Sequence, residues 1–137
     1  MKSLLIPLLF LLSFSAFAQP GIDWTLHTEK DGLQFFYKAV NGDNGNQYLA
    51  IKIHNTTTKN LTAEWDFHIW HGDKCRSCGL KGSSFYHKKY VVDSGKSKEI
   101  IYSGENKIYY KSGDFAISKF ELANLLITKA KKNDYKQ

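Results

Sequence analysis

The stretch YLAIKIH at residues 48–54, followed after a polar turn by LTAEWDFHIW at residues 61–70, decides the fold class of this chain. Side chains of an extended strand point alternately to opposite faces. In the first segment Leu49, Ile51 and Ile53 share one face, and Tyr48, Lys52 and His54 share the other. In the second, Leu61, Ala63, Trp65, Phe67 and Ile69 lie opposite Glu64, Asp66, His68 and Trp70. Each segment therefore reads as a strand with one buried face, the pattern of antiparallel sheets. The short Thr-rich turn between them predicts that the two strands are paired neighbours. Trp65, Phe67, Ile51 and Ile53 are expected in one core.

The flanking segments extend the same reading. Trp24–His27 alternates, Lys30-Asp31-Gly32 supplies the positive φ of a tight hairpin turn, and Leu33–Val40 returns. Residues 41–46 and 71–84 are loops by composition. Strands follow at Phe85–Val92, Ser97–Tyr102 and Lys107–Lys111, separated by Gly-containing turns. Residues 115–127 suit strand or helix. The β surroundings favour two short strands broken near Asn124, and a frayed polar tail is expected from Lys129. The expectation is an all-β protein, an antiparallel β-sandwich of about seven to nine short strands.

Composition agrees. The 137 residues include nine Phe, eight Tyr and three Trp but only two Pro. Aromatic enrichment favours strands. The net charge is +6, Lys2 contributing one unit, and the lysines are spread along the chain. Such a balance suits anionic surfaces such as lipid headgroups or acidic polysaccharide, and the absence of a concentrated basic stripe argues against nucleic acid. At the N-terminus Lys2 precedes an apolar run, Leu4–Phe14, and the small residues of Ser15-Ala16-Phe17-Ala18. This is the pattern of a signal peptide over residues 1–18, cleaved before Gln19. The expected product is a secreted or periplasmic single domain, residues 19–137, with no transmembrane segment after signal removal.

The YLAIKIHN segment, its Thr-rich turn, the LTAEWDFHIW strand and the later strand–Asp93-Ser94-Gly95–strand unit resemble the middle of an immunoglobulin-like sandwich. The order of elements is similar to that of small secreted immunoglobulin-like domains of Gram-negative envelopes. The chain departs from antibody-type domains in having no cysteine pair spaced to bridge two sheets. The resemblance implies a fold and no activity.

Cys75-Arg76-Ser77-Cys78 is the sharpest local motif. In an oxidising compartment the expected state is a short disulfide between Cys75 and Cys78 that pins a loop. An alternative is a metal set of His68, His71, Cys75 and Cys78, whose imidazoles and thiolates suit zinc or copper. A redox pair would use Lys74 and Arg76 to activate a thiol, but no helix start accompanies it. His27, His54 and His87 read as ordinary surface residues. Sequence brings no two of the carboxylates Glu29, Asp31, Glu64, Asp66, Glu99, Glu105 and Glu121 together. Asn55-Thr56-Thr57 and Asn60-Leu61-Thr62 match the N-glycosylation pattern, yet read as turn chemistry in which Asn and Thr bond the local backbone. Trp70, Tyr48 and Tyr86 are expected as outward aromatics able to stack on sugars or on a partner protein. The expected function is an exported, non-enzymatic interaction module with a protein or glycan partner in the cell envelope, working without a cofactor. The alternative is a periplasmic metal-binding or thiol-redox protein using residues 68–78, and a secreted hydrolase is a third class.

Overall fold

The computed structural model describes residues 23–136, so the leader and its cleavage point before Gln19 lie outside the described residues. The strands are β1 (Thr25–Lys30), β2 (Leu33–Asn41), β3 (Gln47–Asn55), β4 (Leu61–His71), β5 (Lys74–Cys75), β6 (His87–Val92), β7 (Ser97–Ile101), β8 (Tyr109–Ser112), β9 (Phe115–Ala116) and β10 (Lys119–Lys129). All pairings are antiparallel. The larger sheet runs β1-β2-β3-β8-β9, with β7 also on β3; the smaller runs β10-β4-β5, with β6 also on β4. The fold is all-β and antiparallel, as expected, with the ten strands of the described residues in two sheets, one of them curled into a half-barrel.

The strand pair that defined the sequence reading is not a pair. Strand β3 belongs to the larger sheet and β4 to the smaller. The Thr-rich turn is an arch that carries the chain across the core from one sheet to the other. Asn55 builds that arch. Its side chain is fully buried. It donates to the carbonyls of Lys59 (2.7 Å) and Val92 (2.9 Å) and accepts from the Thr57 amide (2.9 Å) and hydroxyl (2.7 Å). The turn chemistry expected of Asn55-Thr56-Thr57 is thus present, but it bends the chain between layers instead of closing a hairpin. A tight hairpin does join β1 to β2, where Asp31 (φ 48°) and Gly32 (φ 83°) both take positive φ, as a primed turn requires. A Cβ at Gly32 would collide with Thr57, so hairpin and arch are packed together.

The inward faces match the alternation. Leu49, Ile51, Ile53, Ala63, Trp65, Phe67 and Ile69 form one core with Leu33, Phe35, Val92, Phe120 and Leu122. Trp65 meets Phe35 and Phe67 edge-on, at centroid distances of 5.8 Å and 5.7 Å, which suits aromatic quadrupoles. Residues 119–129 form one long strand, not two: Asn124 (φ 55°) sits in a bulge that bends β10 without ending it. The tail past Lys129 is held as a 3-10 turn, Lys132–Lys136. Among the described residues no helix is long and apolar enough to cross a membrane.

Candidate binding surfaces

The outer face of the larger sheet collects rings and lysines. Registers Phe36–Lys52, Lys38–Ala50 and Val40–Tyr48 place Phe36, Lys38, Val40, Tyr48 and Lys52 on one surface. Trp24, just before β1, lies across it, with the ammonium groups of Lys38 and Lys52 4.6 Å and 5.1 Å from its ring centroid. Lys52 is also 5.1 Å from the Phe36 ring. Tyr48 stacks on Tyr109 at 5.3 Å, and Lys107 approaches Tyr109 to 5.8 Å. Leu26 and Ile101 leave 53% and 52% of their surface exposed here. Cations over aromatic faces keep their charge available to a second partner.

The outer face of the smaller sheet is built from matched polar groups. Strand β6 sets His87 opposite Asp66 and Lys89 opposite Glu64. His87 Nδ1 lies 2.9 Å from Asp66 Oδ1, and Nε2 lies 3.0 Å from Glu64 Oε1. Asn124, turned by the bulge, donates to Asp66 Oδ2 at 3.1 Å. Burial works against the Asp66 carboxylate, but hydrogen bonds from His87, Asn124 and the Gly82 backbone outweigh it and hold its pKa below the usual carboxylate range. Both ring nitrogens of His87 are engaged by carboxylates. Farther along, Asp134 receives Lys89 (2.8 Å), the Thr62 hydroxyl (3.0 Å) and the Lys131 amide (2.9 Å), which hold its pKa down at about 2. His87 is therefore a structural bridge rather than the ordinary surface residue expected, and His27 is stacked on Phe120 at 4.3 Å.

The sequence candidates separate. Tyr48 joins the ring-and-lysine face. Trp70 lies on the opposite sheet, with Lys119 4.6 Å from its ring centroid and His68 at 6.1 Å. Tyr86 precedes β6 in a turn, packs against the core and meets Phe85 edge-on. Cys75 and Cys78 are joined in a disulfide, with 5.7 Å between their Cα atoms. His71 leans on Phe115 at 3.6 Å and bonds the Ala116 carbonyl at 3.0 Å. Among the described residues no group of three or more His, Cys, Asp or Glu is arranged to hold a metal. The loop closed by the disulfide has another task. It presents Ser77, nearly fully buried, which receives the Ile69 amide (3.0 Å) and donates to the Phe67 carbonyl (2.6 Å), filling the edge of β4 between β5 and β6.

Trp24 was read only as the start of a strand. The signal for its role is a lysine outward on each of two later strands, at positions 38 and 52, which no local pattern ties to residue 24. No protein-family model matches the chain. No curated protein matches it. Among solved structures the chain is similar to a DUF1425 family member from Shewanella sp. pv-4, at 10% identity over 80% of this chain and 98% of that one, with a TM-score of 0.40.

Proposed function

We propose that this chain is an exported, non-enzymatic binding module that holds an acidic glycan of the cell envelope on the outer face of its larger sheet. The observation that carries this reading is Trp24 flanked by Lys38 and Lys52, with Phe36 beside it. An indole and a phenyl ring at the surface offer stacking platforms for sugar rings, and two ammonium groups beside them complement carboxylates spaced along a polysaccharide. The charge of +6, of which only the Lys2 unit belongs to the expected signal peptide, points the same way.

The test is calorimetric titration of the folded domain with polygalacturonate and with neutral dextran. Polygalacturonate is expected to bind, and to bind more weakly as salt is raised. Trp24→Ala is expected to weaken it by about tenfold or more, as for an aromatic hot spot, with an unchanged circular dichroism spectrum. Equal affinity of Trp24→Ala and wild type would overturn the assignment of the face. Capture of an envelope protein in place of the polysaccharide, lost on the same substitution, would change the partner class.

A further inference from the structure

The two sheets meet differently along their two sides. On one side β1 and β10 are sealed by rings: His27 stacks on Phe120, and Tyr37 meets Phe120 edge-on at 5.1 Å. On the other, β6 and β7 are each the last strand on their side and are not hydrogen-bonded to each other. A cleft of about 480 Å³ opens there, with Lys88, Tyr90, Lys98, Asn106 and Ser84 in its wall.

Two lysines turn into this seam from positions that alternation assigns to the interior. Lys88 pairs with Trp65 across β4, and Lys98 pairs with Ile53 across β3; both partners are core residues. Lys88 is only 6% exposed. Its ammonium lies 5.2 Å from the Tyr102 ring centroid and 5.9 Å from that of Phe85, and Lys98 lies 5.5 Å from Tyr90. Among the described residues neither lysine has a carboxylate partner. Of the carboxylates nearby, Asp134 is paired with Lys89, Asp93 accepts the Tyr135 hydroxyl at 3.2 Å, and Glu105 lines the adjoining cavity beside Lys88 without forming an ion pair with it. A buried ammonium without a counter-charge is costly, and aromatic faces offset only part of the lost hydration. Burial accordingly pushes the Lys88 pKa down. An oxyanion entering the cleft would supply the missing counter-charge, with the Asn106 carboxamide available to hydrogen-bond it.

We infer that the seam between β6 and β7 is a binding site for a small ligand bearing a carboxylate or phosphate, of mono- to disaccharide size, with Lys88 as its buried anchor and Lys98 and Asn106 as its outer contacts. The site lies apart from Trp24 and does not depend on the polysaccharide reading.

The experiment follows backbone amide shifts of the folded domain by NMR while galacturonate, inorganic phosphate and uncharged galactose are added in turn. Saturable shifts at residues 88–90, 98 and 106 are expected with the two anions and not with galactose; which anion binds more tightly separates a sugar acid from a phosphate. Lys88→Met, which fills the same space without charge, is expected to weaken binding by about tenfold or more. Lys98→Met is expected to weaken it less, while Lys111→Met leaves it unchanged. Shifts that never saturate, or equal affinity in Lys88→Met with its fold intact, would overturn the site and leave Lys88 as a cation held by rings alone. If Lys88→Met fails to fold, unchanged binding in Lys98→Met together with Asn106→Ala is the overturning result.

Discussion

On the outer face of the smaller sheet nearly every charge has a partner: His87 bridges Glu64 and Asp66, Lys119 meets Glu121, and Lys89 meets Asp134. On the outer face of the larger sheet the prominent cations, Lys38 and Lys52, lie over Trp24 instead. Both faces rest on the same core. Matched polar groups contribute to the fold and have little left to offer a ligand. Lysines laid over rings contribute less to folding and remain free to meet an anion. The contrast separates a face that maintains the structure from one suited to recognition.

The comparison fails if the two faces do not share one core. Trp65→Ala removes the central ring of that core and is expected to cost about 3–5 kcal/mol in denaturant unfolding, with one transition reported by probes on both sheets. Two separated transitions would mean that the faces fold independently. Asp66→Ala sharpens the contrast. It leaves His87 and Asn124 without their buried acceptor and is expected to cost about 1.5–3 kcal/mol, with polygalacturonate affinity unchanged. A variant of ordinary stability but weakened glycan binding would exchange the roles of the faces.

Replacing Cys75 and Cys78 together by Ser is expected to cost no more than about 2 kcal/mol in the same unfolding measurement, because the loop closed is so short. The smallest effect is the response to acid. The folded pKa of Asp134, about 2, lies below its unfolded value, so its contribution is complete above the usual carboxylate range. That contribution is lost as pH falls from about 4 toward 2, and Asp66 titrates in the same direction. The amide shifts of residues 132–136 should therefore change in that window in the wild type and lose that change in Asp134→Asn.

Alternation identified which side of each strand is buried, and Trp65, Phe67, Ile51 and Ile53 lie together as it requires. It could not identify partners. An arch and a hairpin impose the same period on the strands they join, and only the buried carboxamide of Asn55 tells them apart. The Asp31-Gly32 hairpin was legible because primed turns have their own residue chemistry. Asn124 marked an irregularity correctly, but a bulge and a break share that signal. Of the candidate surface only Tyr48 was legible. Trp24, Lys38 and Lys52 are brought together by sheet register, which no local window contains. The inward position of Lys88 was implicit in the alternation of residues 88, 90 and 92, where a lysine shares a face with Tyr90 and Val92.

The arch has a consequence for how the protein is made. It delivers β4 to a sheet whose other long members do not yet exist, since β6 and β10 both follow it in the chain. In an N-to-C order of emergence, β4 waits for its last neighbour until the C-terminal strand is free to dock. Through that interval Trp65, Phe67 and Ile69 stand on a strand with a bare edge, the kind of surface that recruits other chains. Strand β10 therefore acts as a late clasp. A chain shortened before residue 119 would not be a smaller version of this domain but a seed for aggregation.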